Sequence, residues 1–115
     1  MVELHTYSGQ TLYKIEGDTI KDFYGRMLFT IKGDEIREWG SQRIIYFIDG
    51  RTVKEFSGRI LYTFDGTYFK DFYGRFIFKY EKGYIKKMSG LYEYYTSPIA
   101  TDQEIMALIT LFIVK

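Results

Sequence analysis

The chain runs to 115 residues, and its 16 Lys+Arg against 15 Asp+Glu leave a formal net charge of +1. That length is one domain, 1–115, with enough surface to bury for a single core, and the charge balance argues against broad binding to nucleic-acid phosphates, which needs a clear cationic excess. The absence of cysteine excludes disulfides and thiolate chemistry, while 12 Tyr and 10 Phe beside 11 Gly and one Pro point to half-buried strands joined by tight turns.

The chain opens with "MVELHTYSGQ", which has no basic region leading into an apolar run. No signal peptide is expected, and a cytoplasmic setting fits. A short phrase then recurs: "FYGR" at Phe23-Tyr24-Gly25-Arg26 and Phe72-Tyr73-Gly74-Arg75, with Phe56-Ser57-Gly58-Arg59 between them. Aligned on the residue before the Arg, the register runs Gly9, Gly25, Gln42, Gly58, Gly74 and Gly90 at spacings of 16 or 17, with Gln10 and Leu91 in place of the Arg at the two ends. A second glycine series lies half a period away, at Gly17, Gly33, Gly50, Gly66 and Gly83. Each unit therefore reads as a segment, a turn, a segment and a turn.

The first kind of segment is "TLYKI", "MLFTI", "IIYFI", "ILYTF" and "FIFKY". The first, third and fifth positions are mostly apolar and the central one is always Tyr or Phe, which is the two-residue period of a strand. The turns after these segments carry Gly-Asp or Asp-Gly, and Asp-Gly between apolar strands predicts a type I′ hairpin turn. The second kind is "TIKDFYG", "EIREWGS", "TVKEFSG", "YFKDFYG" and "YIKKMSG". Its apolar residues fall three apart, as in Ile20 and Phe23, so a flat strand would put them on opposite faces. Either both faces are covered or a bulge at the charged pair restores one face, and the bulge is preferred. Helical spacing is the third reading, but so few residues between glycines make a poor helix.

The ends of the array match each other. Residues 2–8 align with a second segment alone and residues 91–95 with a first segment alone. Such half-repeats predict a ring closed by the two ends, 2–8 lying beside 91–95, which removes exposed sheet edges. The expected fold is therefore all-β: repeated hairpins over residues 2–95 in a radial or closed, flower-like array. Four or six units fit the register.

The pattern of turn glycine, Lys-Asp or Lys-Glu pair, Gly-Arg and aromatic strand centre over residues 18–80 resembles the small bacterial domains called four-fold β-flower proteins. The resemblance covers about two thirds of the chain and implies radially arranged hairpins with no established activity. Wall-binding repeats of the choline-binding kind are also aromatic hairpins, but they depend on Gly-Trp steps, and the one Trp here is Trp39.

From Thr101 the period changes. "TDQE" reads as a capping box, with the Thr101 hydroxyl and Glu104 satisfying each other's backbone N–H groups. A C-terminal helix is expected over residues 99–114, with Ile105, Leu108, Ile109 and Phe112 on one stripe. Met106, Ala107, Leu111, Ile113 and Val114 make its other faces apolar too, so it is buried all round or membrane-associated. At about 1.5 Å per residue it is too short to span a bilayer core of about 30 Å. A core cap or a subunit interface fits best, and the β-branched run "LITLFIV" leaves a strand as the remaining reading. Homo-oligomerisation through this helix would use Met106, Thr110 and Ile113.

Candidate chemistry is sparse. His5 is the one histidine, and Ser8 beside it has no recognisable third member, so His5 reads as an ordinary strand residue. Asp22, Glu38, Glu55 and Asp71 recur beside Lys21, Arg37, Lys54 and Lys70, which is a solvated salt-bridge row before it is a metal or acid–base set. Arg26, Arg43, Arg59 and Arg75 follow four consecutive turns. They either pair with nearby acids or form an anion-binding row, with Tyr24 and Tyr73 exposed next to them. The strand-centre aromatics Tyr13, Phe29, Tyr46, Tyr62, Phe78 and Tyr94 read as core. No phosphate loop, metal-spaced cluster or nucleophile elbow is present. The sequence thus points to a non-catalytic interaction or scaffold module, self-associating, with a small-ligand or anion-binding module as the alternative. No cofactor, metal or nucleic acid is expected.

Overall fold

A computed structural model describes residues 1–114. Twelve strands alternate along the chain: β1 (Val2–Thr6), β2 (Thr11–Glu16), β3 (Thr19–Asp22), β4 (Met27–Lys32), β5 (Glu35–Glu38), β6 (Ile44–Asp49), β7 (Thr52–Glu55), β8 (Ile60–Phe64), β9 (Tyr68–Asp71), β10 (Phe76–Glu81), β11 (Tyr84–Lys87) and β12 (Tyr92–Ser97). Even-numbered strands are the first kind of segment and odd-numbered ones the second. Each pairs antiparallel with its neighbours in sequence, and β1 pairs with β12, so the sheet closes into a barrel of six two-strand units. The two half-repeats meet as expected, with Leu4 opposite Thr96 and Thr6 opposite Tyr94.

A register shift follows the buried apolar residue of the second-kind strand at six of its pairings, for example between Ile20 and Lys21 and between Val53 and Lys54. The bulge expected at the charged pair of the second-kind strand does not form there: Ile20 faces Phe29 and Lys21 faces Met27, so the extra residue, Leu28, belongs to the first-kind strand. Leu4, Ile20, Ile36, Val53, Phe69 and Ile85 line the core. Their partners three residues on do not join them: β3 ends at Asp22, so Phe23 lies in the turn and is exposed, as are Trp39, Phe56, Phe72 and Met88. The hairpin turns also differ from expectation. Only Lys82-Gly83 has positive φ at both central residues, as type I′ requires; at Gly17-Asp18, Gly33-Asp34 and Gly50-Arg51 only the glycine does, which is the type II′ pattern.

A barrel of about eight strands is filled by its own side chains, and wider ones enclose space. Here the C-terminal helix fills that space. Helix α1 (Asp102–Leu108) continues through a π-helical stretch, Ile109–Ile113. It starts three residues later than the sequence suggests because the capping box forms and fixes Thr101 as N-cap. At its start Asp102 meets Arg51 (2.9 Å) and Gln103 donates to the Gly33 carbonyl (2.7 Å), both at the hairpin-turn end of the barrel. At its far end Phe112 stacks on Tyr13 (ring centroids 3.6 Å apart) and meets Phe29 edge-on. Twelve residues at about 1.5 Å each reach about 18 Å, against a molecule of 38 × 34 × 20 Å. The helix therefore crosses the short dimension of a disc, and its all-round apolar surface is explained by sheet on every side. Met106 and Thr110, expected at a subunit interface, are 0% and 2% exposed within the chain's own barrel, and Ile113 is half-buried against the core. The burial of this helix removes Met106 and Thr110 from any surface a partner could reach. Among the described residues no helix is long and apolar enough to cross a membrane.

Candidate functional site

The end of the barrel that carries the Gly-Arg turns is built by one rule. Register pairs Tyr13 with Asp22, Phe29 with Glu38, Tyr46 with Glu55 and Tyr62 with Asp71, so each acid shares a face with a strand-centre aromatic. These aromatics pack against the core around the end of the helix. Outside them each acid holds the arginine of its own turn: Asp22–Arg26 at 3.1 Å, Glu38–Arg43 at 3.5 Å, Glu55–Arg59 at 3.2 Å and Asp71–Arg75 at 2.8 Å. The adjacent basic residues go elsewhere. Lys21, Lys54 and Lys70 pair across the opposite hairpin turns with Glu16, Asp49 and Asp65, and Arg37 pairs with Glu35.

The choice of acid follows the turn. In the two "FYGR" turns the acid is Asp, short enough for one oxygen to accept from two backbone N–H groups: those of Tyr24 and Arg26 on Asp22, and those of Tyr73 and Arg75 on Asp71, all at 2.9 Å. The second oxygen takes the arginine Nε. Where the turn carries serine the acid is Glu, whose longer reach accepts the hydroxyl of Ser57 or Ser41 at 2.7 Å. Burial pushes the Asp22 carboxyl up, but the backbone N–H groups of Arg26 and Tyr24 and the Arg26 guanidinium outweigh it and leave it below its ordinary value. Asp71 follows the same balance, with Arg75 supplying most of the opposing effect. Burial raises the Tyr62 phenol, and Tyr46 and Asp71 nearby add to it.

Between neighbouring turns lie clefts of the same make. One sets Arg43, Ile44 and Ile45 against Phe56, with a volume of about 340 Å³. A second, about 260 Å³, sets Arg59, Ile60 and Leu61 against Phe72 and Tyr73. A third, about 310 Å³, sets Gln10, Thr11 and Leu12 against Phe23, Tyr24 and Arg26. Positions 10, 43 and 59 are equivalent in the repeat, as are 23, 56 and 72. Of the sequence-predicted residues, Arg26, Arg43, Arg59, Tyr24 and Tyr73 therefore fall in clefts. Arg75 lies with its guanidinium 5.8 Å from the centre of the Tyr73 ring. Tyr24 and Tyr73 are 88% and 80% exposed. The phenylalanines of the turns were not legible as cleft walls, because their three-residue spacing from a core aliphatic reads as core.

His5 sits in the closing seam. Its Nδ1 is 3.1 Å from the Thr11 hydroxyl, its Nε2 is 3.4 Å from Glu3, and its ring stacks on Tyr95. Among the described residues no group of three or more His, Asp or Glu is arranged to hold a metal ion. Comparison with models of protein families, with curated proteins and with solved structures finds no match.

Proposed function

We propose that the chain is a non-catalytic binding module that takes small ligands in the clefts between neighbouring Gly-Arg turns. One observation carries the reading: equivalent repeat positions build a like cleft three times, each with an aliphatic strand edge and an exposed aromatic ring. An arginine lines each as well, at the strand edge for Arg43 and Arg59 and, where Gln10 takes that position, from the aromatic turn as Arg26. Arg26 holds its acid through Nε, and among the described residues its terminal nitrogens have no partner, whereas Arg43 and Arg59 reach theirs through one terminal nitrogen and keep the other free. Those nitrogens are donors for a ligand oxygen. A few groups repeated alike suit binding better than catalysis, which needs unlike groups converging on one atom. Membership of the four-fold β-flower family is part of the proposal and rests on the turn-glycine and strand pattern.

Titration with benzamide, a neutral planar ring bearing an oxygen acceptor, tests the reading by NMR. The Ile44, Ile45, Ile60 and Leu61 methyl signals shift, and Phe56→Ala abolishes the response at Ile44 and Ile45 while sparing Ile60 and Leu61. Unmoved cleft signals overturn the proposal. So does sedimentation as an oligomer that Tyr24→Ser with Tyr73→Ser dissolves into monomer, since the turns then meet a second copy of the chain.

A further inference from the structure

We propose that the ligand of these clefts is a neutral carbohydrate chain, an inference that rests on the small-ligand reading above. The first argument is charge. Each turn arginine already has its own carboxylate within 2.8 to 3.5 Å. An incoming anion gains from the guanidinium and loses to the carboxylate, both at a solvent-exposed site where Coulomb effects are small. A sugar uses both partners: guanidinium N–H groups donate to a hydroxyl oxygen, and the carboxylate accepts a hydroxyl proton. The chain's net charge of +1 adds no long-range pull on a polyanion.

The second argument is the aromatic wall. In both "FYGR" turns the two rings stand edge to face in the same geometry: Phe23 and Tyr24 at 5.4 Å and 71°, Phe72 and Tyr73 at 5.4 Å and 78°. The aspartate that accepts the tyrosine N–H holds the turn that carries them. The result is an exposed corner, apolar on its faces with a phenol at one tip, and it is set before a ligand arrives. The C–H face of a sugar ring is the neutral surface that such a wall covers while hydroxyls at its edge reach the arginine–acid pair. Clefts of about 260 to 340 Å³ suit one ring each.

The third argument is repetition. Sites of one ring each bind weakly, and like sites around one end of a disc gain from a ligand that repeats as they do.

The same NMR readout, with defined sugars, decides the matter. The probes are the neutral hexasaccharides of glucose, mannose and N-acetylglucosamine, their monosaccharides, hexagalacturonate and benzamide. At least one neutral hexasaccharide shifts the cleft methyls and binds about 100-fold tighter than its own monosaccharide. Added salt leaves that affinity unchanged, and Tyr24→Ala with Tyr73→Ala abolishes it without altering the melting temperature. If benzamide moves the clefts and no neutral sugar does, the carbohydrate inference fails and small-ligand binding stands. If hexagalacturonate binds in preference, with an affinity that salt erodes, the ligand is an anion and the inference is overturned. If no probe moves the clefts, both readings fall together.

Discussion

Gly74 has a backbone φ of 81°, and a Cβ built there meets nothing within 4 Å. The cost of a side chain is therefore conformational, not steric. Gly74→Val is expected to lower stability by about 1–3 kcal/mol in urea unfolding, with the clefts otherwise intact. Gln42 occupies the equivalent position of the one longer turn with φ at 60°, so Gln42→Gly is expected to gain about 1 kcal/mol. An unchanged Gln42→Gly midpoint would mean that the turn relaxes at no cost. The aspartates of the other turns make a pH prediction. Asp22 and Asp71 sit below their ordinary value of 3.8 in the folded chain. They therefore stabilise the fold fully above that value, and the contribution is lost as pH falls through the depressed folded value. Thermal melts followed by circular dichroism should fall away below about pH 4, and Asp22→Asn with Asp71→Asn should give a lower but flatter curve over that range. A double variant as acid-sensitive as the parent would assign the acid response to other carboxylates, with Asp65 and Glu81, also depressed, the next to test.

The helix is the element whose removal costs most. Leu108, Ile105 and Met106 are wholly enclosed by the barrel, and Leu108→Ala is expected to cost about 2–5 kcal/mol. Thr101→Ala, which removes half of the capping box, should cost about 1 kcal/mol. If instead Leu108→Ala is neutral, the helix does not hold the barrel open. These two elements also show what a sequence can and cannot tell. Thr101 and Glu104 state the helix start locally, and the alternation in "MLFTI" states a strand locally, so both were readable. What surrounds the helix is a matter of closure, and no local pattern distinguishes a lumen from a subunit contact for Met106 or Thr110. The bulge shows the same limit. The spacing of Ile20 and Phe23 suggests a bulge in their own strand, but the extra residue is Leu28 in β4, and Phe23 lies outside because β3 stops at Asp22. That stop is set by the Asp22 side chain taking two backbone N–H groups of the turn. The pairing of Asp with "FYGR" and of Glu with serine-bearing turns was in the sequence throughout, and it is the signal by which the turn aromatics could have been read as an outer wall.

Over the whole molecule five of the six strand pairs at the hairpin-turn end are joined by a covalent turn, and the sixth, β12 with β1, is joined by hydrogen bonds alone. That seam is where the ring can open. Its packing is substantial: Leu4 is fully enclosed, Val2 lies in the core cluster, and His5 stacks on Tyr95 across the junction. Deleting residues 1–8 removes one strand and leaves two unpaired edges, on β2 and β12, each a template for another chain. The shortened protein, 9–115, is therefore expected to lose far more stability than trimming a loose terminus would cost, and to aggregate as its concentration rises. Because the missing piece is one strand with its own register, a synthetic peptide of residues 1–8 should restore the seam by strand addition. Light scattering then falls and the melting transition recovers with peptide concentration, as binding to the folded form requires. A peptide with Leu4→Asp carries a charge into the enclosed position and should not rescue. Rescue by both peptides would mean that backbone pairing alone closes the ring. A fully stable, monomeric 9–115 would mean that the helix, rather than closure, holds the sheet in its curved form.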